Sequence, residues 1–191
     1  LRWYRYNVGG TTWYTGSGKI IGSGFTPITK VINVAVGANG DLYFVRTTGA
    51  LVIYRHTGRL TGAATWANSG GYTIGSGWTG SEIIVPNGGG VVYRQVNGNL
   101  IWYKHSDPAL GAVTWSKAST IGTGWRFYDL LSAGGGVLYA TQGQTGQVLL
   151  YQHADPSGGT AVWNTARGVP KMVADARSFG ITVDPNACSM P

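Results

Sequence analysis

Charge is scarce in this chain. Only 11% of its 191 residues are Asp, Glu, Lys or Arg, against about a quarter in ordinary soluble domains. Glu82 is the sole glutamate and Cys188 the sole cysteine. One thiol cannot build an internal disulfide framework, and it does not distinguish an oxidising compartment from a reducing one. Apolar runs of about 18 residues, the minimum for a membrane-crossing helix, are missing, which excludes membrane insertion by a helix. Lys, Glu and Ala are too few for a coiled coil. With no initiating methionine or signal peptide before Leu1-Arg2-Trp3, the chain reads as a processed protein, a fragment or an excised domain. What is present is apolar and aromatic: 43% hydrophobic residues, 12% aromatic residues, Trp 8 and Gly 32. That content excludes a disordered tail, and the length suits one domain with its own core, residues 1–191.

Lys and Arg number 14 against 7 Asp and Glu, a net charge of +7. The cations are scattered (Arg2, Arg5, Lys30, Arg46, Arg55, Arg94, Lys104, Arg126, Lys171) and never form a run. They therefore do not mark a nucleic-acid track.

The chain repeats itself. Tyr4, Tyr54, Tyr103 and Tyr151 stand in LRWYRY, LVIYRH, LIWYKH and VLLYQH, at spacings of 50, 49 and 48. Trp13, Trp66, Trp115 and Trp163 follow them, then IGSGF (Ile21 to Phe25), IGSGW (Ile74 to Trp78) and IGTGW (Ile121 to Trp125). An apolar segment, a Gly turn and an aromatic strand come next: GDLYFV, GVVYRQ and GVLYAT. The repeats run approximately 1–50, 51–99, 100–147 and 148–191, and the last lacks the Ile-Gly-x-Gly-aromatic element. Each unit reads as four short strands separated by Asn-Gly, Gly-rich and Asp-Pro turns. Pro170 to Phe179 fits either a short helix with proline in its first turn or a degenerate strand.

Four-stranded units of about 49 residues suit an all-β β-propeller, in which each blade covers the face of its neighbour. Four blades are expected. Three are complete (Ile28 to Gly75, Glu82 to Gly122, Phe127 to Gly168). Leu1 to Gly22 would supply two outer strands, and Lys171 to Val183 could join them as the missing inner pair, hiding two sheet edges. A WD40 propeller has a similar period, but no unit ends in Trp-Asp.

The order Trp, Ile-Gly-Ser/Thr-Gly-Trp, apolar strand, Gly-x-x-Tyr and x-Leu-x-Tyr-Lys/Arg-His resembles the tachylectin-2 type of β-propeller lectin. The matching residues are Trp66, Ile74 to Trp78, Ile83 to Val85, Gly90 to Tyr93, Leu100 to His105, Trp115 and Ile121 to Trp125. The resemblance implies a propeller that binds N-acetylated amino sugars such as N-acetylglucosamine, with one site per blade between neighbours. It also implies five blades, of which this chain would be a four-bladed version or a fragment. The chain departs from the family in carrying Gly-Ser-Gly-Trp or Gly-Thr-Gly-Trp for Gly-Gly-Trp, and in lacking Asp-Asn before the first Trp. These departures bear on sugar preference more than on fold.

Trp78 and Trp125 are the leading sugar contacts, with Phe25 as an equivalent, because a Gly-rich turn exposes N–H groups beside a flat aromatic face. On that reading either tryptophan can be removed with the fold largely intact. Trp66, Trp115 and Trp163 recur even in the degraded unit, which favours packing, yet they can line the same pocket; Tyr93 and Tyr139 complete the set. His56, His105 and His153 fall on different units without the short spacing of a metal site and are expected in surface turns. Neither a nucleophile elbow nor a phosphate loop is present. A carboxylate pair, Glu82 with Asp129, is the one glycosidase option, and it is disfavoured. No cofactor, metal or catalytic residue is therefore assigned. The expected partners are glycans on glycoproteins or polysaccharides, outside the cell, with avidity from several sites. A protein–protein scaffold, the glycan-targeting module of a secreted enzyme and a single-strand nucleic-acid binder are the alternatives.

Overall fold

The computed structural model describes residues 1–7, 12–24, 35–36, 40–81, 83–107, 111–116, 118–126, 128–143, 145–165 and 170–175. Its elements are β-strands, and no α-helix occurs among the described residues. An N-terminal two-stranded sheet pairs β1 (Arg2–Trp3) with β2 (Lys19–Ile20). Sheet I follows with β3 (Ala35–Val36), β4 (Asp41–Val45), β5 (Leu51–Arg55) and β6 (Tyr72–Gly75) in that order. Sheet II holds β7 (Ile83–Pro86), β8 (Val91–Val96), β9 (Asn99–Lys104) and β10 (Ser119–Thr123). Sheet III holds β11 (Tyr128–Gly134), β12 (Val137–Gln142), β13 (Gln147–Gln152) and β14 (Lys171–Asp175). All pairings are antiparallel and join consecutive strands. Sheets I and II fall on the first two units expected to be complete, whereas sheet III takes its outer strand from beyond Gly168, the expected end of the third.

The turns obey the local chemistry. Asn97 and Gly98 connect β8 to β9 with φ of 51° and 74°, the paired positive values that a two-residue hairpin matching strand twist requires. The middle strands are apolar because both their faces are covered. Leu51, Val52 and Ile53 of β5 and Val91, Val92 and Tyr93 of β8 are all buried. Sheets I and II share one cluster built on Tyr43, Ile53, Ile74, Trp78 and Val92. Sheets II and III share another built on Tyr93, Trp102, Ile121, Trp125 and Leu138. The core thus lies between sheets, as expected of blades that seal each other's faces. Near the inner strands, Asn87 crosses from sheet II to sheet III. It donates to the Ser132 hydroxyl and accepts from the Gly136 N–H at 2.7 Å.

The outer strand of each four-stranded sheet carries a bulge at the same place. Leu51 pairs with Gly75 and Val52 with Thr73, so Ile74 is skipped. Leu100 pairs with Gly122 and Ile101 with Thr120, skipping Ile121. In sheet III, Val148 pairs with Ala174 and Leu149 with Met172, skipping Val173. A bulged residue is left unpaired by the partner strand.

Two expectations change here. Of the two options for Pro170 to Phe179, the described part is strand. It is the outer strand of sheet III, not an inner strand completing the N-terminal sheet. The hydrogen-bond register with β13 reproduces that of β10 with β9, which fixes Lys171–Asp175 as the equivalent of the Ile-Gly-x-Gly element. Residues 176–183 lie outside the described residues.

Candidate functional site

The seams between neighbouring sheets are built from one set of parts. An isoleucine at the outer edge of one sheet, bulged in sheets I and II, presents its carbonyl to the indole of the next. Trp66 Nε1 donates to Ile21 O at 2.8 Å, Trp115 Nε1 to Ile74 O, and Trp163 Nε1 to Ile121 O at 2.8 Å. The tryptophan of the Gly-x-Gly-Trp turn then folds back onto the same neighbour. Trp78 packs on Tyr103 and Trp115 at centroid distances of 4.9 and 5.5 Å. Trp125 packs on Tyr151 and Trp163 at 4.6 and 5.6 Å. Gly77 and Gly124 take φ of 73° and 79°, which lets the turn reverse so tightly. The Trp78 and Trp125 N–H groups donate to Gly49 O and Gly98 O, both at 3.0 Å, pinning each turn to a hairpin of its own sheet. Gly75 and Gly122 lie under the indoles: a Cβ at Gly75 would stand 2.6 Å from Trp78 Nε1, and one at Gly122 would meet Trp125 Nε1.

At the seam of sheets II and III this arrangement leaves a crevice of about 340 Å³. It is lined by Gly122, Thr123, Trp125, Tyr151, Trp163, Thr165 and Pro170. Thr123, Thr165 and Pro170 are exposed, Tyr151 and Trp163 half-buried. The crevice thus has an aromatic floor and two hydroxyls at its rim, the makeup of a small-molecule site.

Of the residues singled out by sequence, Trp125 and Trp163 meet in this crevice. Trp78 and Trp115 meet in the equivalent seam of sheets I and II, and Trp66 spans the first seam. Phe25 lies outside the described residues. Tyr139 is half-buried. Tyr93 is fully buried, and its hydroxyl contacts His153 Nδ1 at 3.0 Å, away from the crevice lining. Trp78 and Trp125 are 4% and 5% exposed. They are walls that belong to the core, a burial at odds with the expectation that either can be removed with the fold largely intact. Tyr151, Thr123 and Thr165 were not singled out. Tyr151 had a signal, since it marks the repeat itself.

The histidines also differ from expectation. His56, His105 and His153 are buried rather than set in surface turns. Each Nε2 bonds a carbonyl seven residues on: Ala63 O at 2.7 Å, Ala112 O, and Thr160 O at 2.7 Å. Each also bridges, and lies against, the tryptophan ten residues on. They hold the loop that carries the seam tryptophan. Among the described residues no three His, Cys, Asp or Glu side chains come together. Glu82 lies outside the described residues, and the Asp129 side chain is likewise undescribed.

The ionisable groups near the seams are structural. Asp41 and Arg55 pair through two contacts, 2.6 and 2.9 Å, and the hydrogen bond to Asp41 raises the Arg55 pKa. Desolvation pushes the Tyr43 phenol far above its ordinary value, with the Asp41 charge adding to it. Desolvation, then the Asp155 charge, does the same to Tyr93. Asp155 itself is held below the usual carboxylate range by the Thr160 hydroxyl and the Gly158 and Thr160 N–H groups, which close its turn.

The family model for tachylectin matches residues 1–176. No curated protein matches the chain. The matched span contains the seams of sheets I and II and of sheets II and III, each with its bulged isoleucine, paired tryptophans and glycine, together with the Trp66 contact to Ile21. The chain belongs to the tachylectin family.

Proposed function

We propose that this chain is a carbohydrate-binding propeller lectin, its sheets acting as blades of one domain and its seams as sugar sites. Family membership supports a lectin role. The observation that carries the reading at the level of residues is the crevice between sheets II and III. An apolar sugar face can lie against the exposed parts of Tyr151 and Trp163, while Thr123 and Thr165 reach ring hydroxyls. N-acetylated amino sugars of the N-acetylglucosamine type are the proposed ligands, because the acetamido methyl adds apolar area to match the aromatic floor. A set of similar sites at successive seams makes the lectin multivalent, so weak single sites become strong on glycoproteins or polysaccharides that display many copies. Such partners place the protein outside the cell. The role is recognition without catalysis.

Titration calorimetry with N-acetylglucosamine tests this. Binding that Thr165→Arg abolishes, with the folded-state spectrum unchanged, is the expected result. Saturable binding that is indifferent to Thr165→Arg removes the crevice from consideration, and no binding to any amino sugar on a glycan array removes the ligand class.

A further inference from the structure

The crevice between sheets II and III is lined by neutral side chains. The first seam, where Trp66 reaches the N-terminal sheet, repeats part of its floor. Tyr54 lies edge-on to Trp66 at 6.1 Å and 82°, as Tyr151 lies to Trp163 at 5.9 Å and 74°. Tyr54 and Trp66 are half-buried, and Ser23 is exposed at the sequence position that matches Thr123. What differs is a cation. Arg46 follows β4, and its Nη2 donates to the Tyr54 hydroxyl at 3.2 Å and to Gly70 O at 3.4 Å. The Gly70 carbonyl is set in place by Asn68, whose Oδ1 accepts from Gly70 N and whose Nδ2 donates to Gly71 O, both at 3.0 Å. Gly71, at a φ of 70°, passes so close to Tyr54 that a Cβ there would stand 2.7 Å from Cζ. The guanidinium is therefore held beside the aromatic pair instead of sweeping through solvent.

Counting along the strands from Asp41↔Arg55, Val91↔Lys104 and Val137↔Gln152 puts Val96 and Gln142 where sheet I has Arg46. Neither is cationic, and Gln142 Oε1 accepts from the Thr145 hydroxyl of its own hairpin at 2.9 Å. Arg46 is exposed. The neighbouring Arg55 is neutralised by Asp41, whereas no carboxylate pairs with Arg46 among the described residues. Both acceptors of its Nη2 are uncharged oxygens, so the full positive charge is kept, and Nη1 donates to nothing among the described residues.

We propose that the first seam selects a sugar that carries a carboxylate, with Arg46 as the residue that sets this preference. The proposal rests on the lectin reading above and gives the first seam a different ligand from the third. The apolar face of the sugar lies on Tyr54 and Trp66, and its carboxylate accepts from Arg46 Nη1. A charge-assisted bond of this kind is about twice as strong as one between neutral groups. Uronic acids and nonulosonic acids both supply such a carboxylate. Glucuronate and N-acetylneuraminate are the probes that tell the two apart.

Calorimetric titration of residues 1–191 with these two acids and with N-acetylglucosamine tests the proposal. The variants are Arg46→Gln and, as a control that removes the same charge elsewhere, Lys104→Gln, whose Nζ donates to Gly89 O. One acidic sugar is expected to bind, one per chain, and more weakly as salt rises. Arg46→Gln should weaken that binding about tenfold and leave N-acetylglucosamine binding at the third seam unchanged. Lys104→Gln should change neither. The salt series reads the same contact in the wild-type chain, so the test does not hang on one variant. Acid binding that is indifferent to salt, or to Arg46→Gln, overturns the proposal, as does an equal loss in Lys104→Gln. N-acetylglucosamine binding with neither acid bound overturns it alone. No binding of any of the three sugars overturns the lectin reading with it.

Discussion

The seam between sheets I and II and the seam between sheets II and III use the same framework and finish it differently. Both have the bulged isoleucine, the donated indole and the folded-back tryptophan. In the first, the Arg94 guanidinium lies 5.1 Å over the Trp78 ring and donates to Gly77 O and Thr79 O at 3.3 and 3.1 Å. The corresponding position in sheet III is Ala140, beside Trp125 in the core cluster. The histidines diverge too. His153 Nδ1 is satisfied by Tyr93 across the seam, whereas His105 Nδ1 is buried without a hydrogen-bond partner among the described residues. Repetition thus fixes the framework, while the residues around each tryptophan are free to differ.

Four experiments press on that comparison. The largest effect belongs to the framework itself. Trp125→Ala and Trp78→Ala each empty a core site and should cost about 3–5 kcal/mol in urea unfolding. Losses that differ by more than about 1 kcal/mol would show that the two frameworks are not held alike. Next, Tyr93→Phe leaves His153 Nδ1 like that of His105, at a cost of about 1–3 kcal/mol. A cost near zero would mean the cross-seam bond adds nothing.

The same phenol gives a pH signature. A tyrosine whose folded pKa is raised stabilises the fold fully below its unfolded pKa of about 10 and loses that contribution progressively above it. Thermal stability should therefore fall above about pH 10, and Tyr93→Phe should flatten that limb while leaving the Tyr43 part. Smallest is Arg94→Ala. It removes one cation–π contact and the exposed hydrogen bonds to Gly77 O and Thr79 O from a half-exposed side chain, about 0.5–1 kcal/mol, and brings the second seam closer to the third. Equilibrium unfolding beside wild type measures it, and an unchanged midpoint would show that Arg94 is ornamental to stability.

The strands and their grouping were readable because the markers recur in register: Tyr54 and Tyr103, Trp66 and Trp115, Ile74 and Ile121 occupy the same places in successive sheets. The seam was readable only in part. Trp78 follows a glycine turn, and nothing local distinguishes an exposed ring from one folded back onto Tyr103 of the next sheet. The histidines misled for a similar reason. A polar residue before Asp-Pro looks like a surface turn, yet His105 and His153 close their loops from inside by bonding carbonyls seven residues on. The recurring interval from histidine to tryptophan was the available signal. In the first unit Tyr6 bridges Trp13 across a shorter loop instead. The strand Lys171–Asp175 lacks the sequence of its counterparts, and only its pairing with β13 reveals it.

Gly75 and Gly122 carry a consequence for how such a gene can drift. A single added methyl group at either would expel the indole above it, so neither glycine can change while its own ring stays in place. Sheet III carries Ala174 in that register, and three residues on stands Arg177 rather than tryptophan. The ring can be kept only while the glycine beneath it is kept.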